Sequence, residues 1–154
     1  GAEPAPSSVA AMNLLRLGAW FETDAGGNAY RERGRRVLEA FRDAWSRAPH
    51  VMPQMLCALE LALEPPRHVV IAGDPTSADF QAMARVVGAK FGPHRAVAAA
   101  DGGEGQAWLA ARAPCIGAMV PVGGRATAYV CEEFSCQAPV TNPVDLERLL
   151  SPAS

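Results

Sequence analysis

Two cysteines near the C-terminus, Cys131 and Cys136, are the residues whose type and spacing most directly offer chemistry. Four residues separate them, so their sulfur atoms can bond if the intervening segment turns back on itself. A redox role requires a lowered thiol pKa, whereas Glu132 and Glu133 beside the first cysteine disfavour a thiolate. We therefore interpret the pair as buried structural thiols. A reversible disulfide, with both residues as redox candidates, is the alternative.

A metal site is not predicted for these cysteines. Zinc requires a second pair of ligands, and none of the three histidines has ligand spacing. The other two cysteines, Cys57 and Cys115, stand in apolar surroundings, where a free cysteine commonly behaves as a small core residue. We predict that both are buried.

A turn at residues 73–77 is a candidate anion site, because it joins the end of a predicted strand to the start of a predicted helix. Free backbone N–H groups at such a turn bind phosphate or carboxylate. The candidate residues are Gly73, Asp74, Thr76 and Ser77. The turn has one glycine, however, and Asp74 would repel phosphate. We favour the alternative that Asp74 or Ser77 caps the helix.

A second loop, residues 101–105, follows the next predicted strand. Its carboxylates, Asp101 and Glu104, could take part in acid–base catalysis or hold a cation, and Gly102 and Gly103 could line a ligand loop. The alternative is that the glycines form a tight turn and Glu104 stabilises the N-terminus of a short helix. We predict no bound cofactor.

His50 is the remaining catalytic candidate, beside Asp101 and Glu104. It lies between two predicted helices, in the sequence Ala-Pro-His-Val. Lone histidines are far more often surface or capping residues than catalytic bases. No Ser-His-Asp set with supporting motif context accompanies it.

The element that must position these loops is a strand, a turn and a helix over residues 68–91. The short β-branched run at 69–72 fits a strand buried on both faces, in a parallel or mixed sheet with helices on it. Apolar residues at helical spacing then predict an amphipathic helix. Later strands are predicted at 95–100, 115–120 and 125–131, and helices at 104–111 and 144–150.

The spacing of apolar residues predicts that the chain before this strand is helical. We predict helices at residues 9–17, 28–45 and 54–63, the third apolar almost all round and therefore buried on several sides. The composition changes at Pro65-Pro66. We therefore predict a helical segment of three helices at 1–65 and an α/β domain at 66–154, whose fold is a small mixed or parallel sheet with flanking helices.

Composition narrows the class of protein. The chain has 154 residues, 49% apolar and 19% charged, which is typical of a globular protein. A net charge of -2 argues against nucleic-acid and anionic-membrane partners. The sequence has neither a long apolar run nor a signal pattern, so we expect a cytoplasmic protein. Because it begins with Gly1, we also expect a processed product or an expressed piece of a longer protein.

Several motifs resemble the C-terminal part of the spermatogenesis-associated, YyaL-like thioredoxin-domain family. They are PQML at Pro53, IAGD at Ile71, DGGEGQAWLAAR at Asp101 and, most specifically, TAYVCEEFSCQAPVTNP at Thr127. SVAAMNLLRL, which begins at Ser8, is similar to a helix of that family's barrel. One departure is the run APSS at residues 5–8, where the family tends to read Ser-Gly-Asn-Ser. There is also no Cys-x-x-Cys motif, so the redox chemistry of a thioredoxin domain does not transfer to any residue here.

The resemblance implies an architecture and two functional classes. The family is similar to a thioredoxin-like domain fused to an (α/α)6 toroid like that of N-acylglucosamine 2-epimerases. Residues 1–65 would then be the end of the toroid, where such an enzyme could place a histidine base, the position of His50. The first class is a structural or accessory region that packs against the thioredoxin-like and toroid partner domains. The second is part of a carbohydrate-active epimerase or isomerase. In isolation the helical segment would expose apolar surface at residues 55–63, so we also expect a homo-oligomer.

Overall fold

The fold is described from a computed structural model, which describes residues 5–21, 25–64, 66–90, 92, 94–132 and 135–151. At 25–28 it describes the backbone alone. The residues divide into two compact units, Gly1–Pro66 and Arg67–Ser154.

The first unit contains helices alone among its described residues. Its elements are α1 (Pro6–Trp20), α2 (Ala25–Ala40), α3 (Arg42–Arg47), a 3-10 turn (Pro49–Val51) and α4 (Pro53–Leu63). Their core consists of small and aliphatic side chains from α1, α2 and α4, namely Ala11, Met12, Leu15, Leu38, Met55, Ala58 and Leu61.

Helix α1 extends beyond its predicted bounds at both ends. Pro6 occupies its first turn, where a missing N–H costs nothing. Ser7 or Ser8 is the N-cap predicted from the sequence, but Ala5 is the N-cap in the structure. The sequence predicts that the helix at 9–17 ends at Gly18, but Gly18 lies inside α1. A β-carbon at Gly18 would come within 2.9 Å of the backbone N of Arg31 in α2. The glycine therefore allows two helices to approach closely.

Helix α4 is less buried than its composition predicts. Met55, Ala58 and Leu61 are buried, but Leu63 is 74% exposed. The core contacts a single side of the helix, so the prediction of burial on several sides is wrong within this chain. The sequence also predicts that Asn28 caps the second helix. This prediction is wrong, because α2 begins at Ala25.

The second unit is a mixed four-stranded sheet with helices, which confirms the predicted α/β class. Its elements are β1 (Arg67–Ala72), α5 (Ala78–Ala89), β2 (Arg95–Ala100), α6 (Glu104–Ala110), a 3-10 turn (Pro114–Ala118), β3 (Thr127–Glu132), β4 (Ser135–Cys136) and α7 (Pro143–Leu150). The strand order is β2-β1-β3-β4. Strand β1 is parallel to β2 and antiparallel to β3, and β3 is antiparallel to β4.

Strand β1 is central and buried on both faces, as the β-branched run predicts. One face presents Val69 and Ile71 to a core with Phe80 and Met83 of α5 and Leu146 of α7. The strand predicted at 115–120 is replaced by a 3-10 turn that begins at Pro114. In this turn backbone N–H groups donate to the carbonyl three residues earlier. The apolar pattern of residues 104–111 predicts that Trp108 faces inward, yet Trp108 is 53% exposed.

No helix among the described residues is both long and apolar enough to cross a bilayer.

Candidate functional site

The two predicted loops follow neighbouring parallel strands, at the same edge of the sheet. Strand β1 leads into the turn at 73–77, and β2 leads into the loop at 101–105. The N–H of Gly73 donates to the carbonyl of Ala100 at 3.0 Å, which ties the two strand ends together. Gly73 has a φ of 143°, and a β-carbon there would lie 3.2 Å from Cα of Ala126. Both observations explain why glycine stands at this position.

The turn after β1 is organised as a helix start. The carboxylate of Asp74 accepts hydrogen bonds from the N–H and the hydroxyl of Thr76, each at 2.8 Å. These bonds lower the pKa of Asp74. The Ser77 hydroxyl accepts the N–H of Phe80 at 3.4 Å, so Ser77 is the cap of α5. The polar groups of the turn therefore stabilise the start of a helix, and the anion-binding role stays a prediction.

The loop after β2 is likewise closed by its own hydrogen bonds. The N–H of Gly103 donates to Asp101 at 2.9 Å, and the N–H of Gly102 donates to the Gln106 side chain at 2.6 Å. Gln106 is buried and also donates to the carbonyls of Ile116 and Met119. It thereby joins the loop to the segment that follows α6.

The catalytic candidates lie in different units of the chain. His50 is exposed on the 3-10 turn of the first unit, whereas Asp101 and Glu104 are exposed in the second. In the described part of the chain, no group of three or more His, Cys, Asp or Glu could hold a metal ion. The catalytic roles of these three residues stay predictions.

The structure changes the interpretation of the cysteines. Cys131 and Cys136 form a disulfide, so the prediction of two buried thiols is wrong for this pair. They occupy directly paired positions of β3 and β4, and Cys136 is exposed. Cys57 and Cys115 are free and exposed, not buried as predicted. Cys57 lies on the side of α4 that carries Glu60, opposite the buried residues.

Two neighbours of the disulfide were not identified from the sequence. His68 of β1 lies opposite Cys131 in the strand register. Arg67 forms an ion pair with Glu132 and donates to the carbonyl of Leu149 at 3.0 Å. Only the register brings these residues together, since more than 60 positions separate the two strands in the chain.

A third missed residue, Asp79, connects α5 to the start of β3. Its carboxylate accepts the N–H of Ala126 at 2.7 Å. The Ser77 hydroxyl and this N–H lower the pKa of Asp79 from its ordinary value of 3.8 to about 2. Asp79 therefore holds the helix start against the strand start.

Comparison with known proteins supports the resemblance seen in the motifs. The chain is 33% identical over 152 residues to spermatogenesis-associated protein 20 of Homo sapiens, covering 99% of this chain and 19% of that protein. It is 32% identical over 150 residues to the protein of that name from Mus musculus, covering 97% of this chain and 18% of that protein. The chain thus spans about a fifth of the length of the curated relatives it matches. No protein-family model and no solved structure matches the chain.

Proposed function

We propose that this chain is a non-catalytic accessory region of a longer protein of the family represented by spermatogenesis-associated protein 20, and that it docks against the remaining domains of that protein. Those domains would include the thioredoxin-like and toroid partners that the motif resemblance implies. The alignment supports this reading, because nearly the whole chain matches only about a fifth of each relative.

The observation that carries the proposal is an apolar stripe on α4. Leu56, Leu59 and Leu63 recur at i, i+3 and i+7, so they lie along one flank of the helix. Leu59 is half-buried and packs against the edge of the helical core, Leu56 is half-buried, and Leu63 is 74% exposed. We call these three leucines the α4 flank. An apolar flank beside the core of a helical unit is typical of a surface that packs against another domain.

A carbohydrate-active role for this region is the competing hypothesis. It would require His50, Asp101 or Glu104 to act on a sugar, and the polar contacts of Asp101 given above are those of a loop cap. We therefore assign no catalytic group to this chain. Any sugar chemistry of the longer protein would come from its other domains.

Deletion of this region from the full-length parent separates the two hypotheses. The melting temperature and the turnover of hexoses and N-acyl-hexosamines are measured for both proteins. We expect the deletion to lower the melting temperature, because it uncovers the surface that contacts the α4 flank, while turnover per folded molecule stays the same. A truncated protein that keeps its melting temperature contradicts docking, and one that stays folded but loses turnover contradicts the non-catalytic assignment.

A further inference from the structure

We infer that the Cys131–Cys136 disulfide is a redox site that accepts two electrons from an external dithiol. The inference rests on the β3–β4 hairpin and on His68 of the neighbouring strand β1, so it stands or falls independently of the docking role proposed above.

The position of the disulfide points to reactivity more than to support of the fold. Cys131 and Cys136 are paired directly, and Glu132 is paired with Ser135. The bond closes a very short loop, and the stabilisation expected from a cross-link decreases as the loop shortens. Strand β4 is also the outermost strand of the sheet, where an approaching protein meets the hairpin.

The two sulfur-bearing residues differ in exposure. Cys136 is exposed, whereas Cys131 is only 5% exposed. An external thiolate therefore reaches the Cys136 side of the bond. Attack there makes Cys131 the leaving group, on the side of the hairpin that faces β1.

His68 is placed to stabilise that leaving group. It lies opposite Cys131 in the antiparallel register, and side chains of such pairs share one face with β-carbons roughly 5 Å apart. Even a neutral imidazole has one N–H, which can donate a hydrogen bond to a departing sulfur. A leaving thiolate that is stabilised in this way accelerates exchange.

The acidic neighbour does not oppose this step. Glu132 follows Cys131 in the strand, so its side chain is on the opposite face of the sheet. There it forms an ion pair with Arg67, which balances its charge. The sequence-based objection that Glu132 disfavours a thiolate is thereby removed.

The proposed exchange has two balanced steps. A thiolate of the external dithiol attacks Sγ of Cys136, the Cys131–Cys136 bond breaks, and a mixed disulfide forms while Cys131 leaves as a thiolate and takes a proton. The second thiol of the donor loses its proton and attacks the donor sulfur of the mixed disulfide. Cys136 then leaves as a thiolate and is protonated. Two electrons and two protons have passed from the donor dithiol, now a disulfide, to the cystine of this chain.

The test is reduction of the folded chain by dithiothreitol, with released thiols counted against time. A Cys57→Ser/Cys115→Ser background removes the two exposed thiols, so that only the pair is counted. We expect the oxidised chain to hold no free thiol and to release two on reduction without unfolding. The inference is overturned if both thiols are free after mild oxidation, or if none is released until the chain unfolds.

The contribution of His68 is tested in the same background. His68→Leu should slow reduction about three- to tenfold, because the leaving thiolate loses a hydrogen-bond donor, and His68→Gln, which keeps an N–H donor, should restore part of the rate. His94→Leu is the matched control, since His94 precedes β2 and β1 lies between β2 and the hairpin. Equal rates for His68→Leu and His94→Leu, or a His68→Gln variant as slow as His68→Leu, would remove His68 from the mechanism.

Discussion

At the scale of single residues, Asp79 is the side chain whose role can be tested most directly. Its carboxylate sits at the start of α5 and binds the N–H of Ala126, 47 positions away. The folded state lowers its pKa to about 2, from the ordinary value of 3.8. A lowered folded-state pKa means that the native protein favours the ionised carboxylate. Its contribution to stability is therefore present above pH 3.8 and is lost as the pH falls through about 2.

Asp79→Asn should remove this acid dependence. The variant is expected to be less stable than the parent sequence at neutral pH, and the difference should shrink as the pH falls from 4 toward about 2. Urea unfolding at a series of pH values measures it. Asp43→Asn controls for the lost charge, because the Asp43 side chain is 89% exposed and lies on α3. A constant difference between Asp79→Asn and the parent sequence at every pH would contradict this account.

The role of a residue could be predicted from the sequence where its hydrogen-bond partner lies within a few positions in the chain. Ser77 caps α5, and Asn142 accepts the N–H of Asp145 at the start of α7, as their positions before these helices indicate. The partners of Asp79 and Arg67 lie on other elements, so no local pattern reveals them. For the same reason the sequence did not decide between free thiols and a disulfide, because the pairing of β3 with β4 determines whether the two cysteines meet.

At the scale of elements, the contact between α1 and α2 depends on one missing methyl group. Gly18 lies within α1, and its hypothetical β-carbon would be 2.9 Å from the backbone N of Arg31. Backbone atoms cannot move aside as a flexible side chain can. The helices would have to separate to accept any side chain at this position.

Gly18→Ala is therefore expected to destabilise the first unit. Overpacking costs about 1–3 kcal/mol, which exceeds the gain of about 0.5–1 kcal/mol from replacing glycine in a helix. Gly88→Ala in α5 is the matched control, because a β-carbon there meets nothing within 4 Å, and it should stabilise the chain slightly. Urea unfolding followed by circular dichroism measures both. Equal changes in the free energy of unfolding for the two substitutions would contradict the claim that the close approach of α1 and α2 excludes a side chain at Gly18.

Elements with regularly spaced apolar residues or a clear capping residue were predicted correctly. The bounds of β2 agree with the sequence pattern, and the helix predicted at 144–150 is α7, which spans Pro143–Leu150. The errors occur where a tertiary contact overrides a local signal, as at Gly18, or where a proline starts a turn in place of a predicted short strand, as at Pro114. The strand order could not be predicted either, because the alternation of apolar and polar residues identifies a strand but not its neighbours in the sheet.

At the scale of the whole molecule, the α4 flank is the proposed docking surface. Helix α4 has a polar side with Cys57 and Glu60, a buried side, and between them the leucines that end at Leu63. The expectation that the isolated chain self-associates stays a prediction, and the α4 flank would form the contact between the copies. In the longer protein the remaining four-fifths of the chain would occupy that surface.

The most direct test of this claim is the affinity between this chain and the rest of its parent protein, expressed separately and measured by sedimentation velocity. We expect a complex with a Kd of about 10 μM or tighter, and Leu63→Glu should weaken it at least about tenfold, since burial of a leucine contributes roughly 1.5–3 kcal/mol. Val144→Glu, at a residue 58% exposed on α7, is the control and should leave the affinity unchanged. No complex at about 100 μM, where even a binding free energy of roughly 5.5 kcal/mol would be detected, would contradict the claim. Equal affinities for the two variants would contradict it as well.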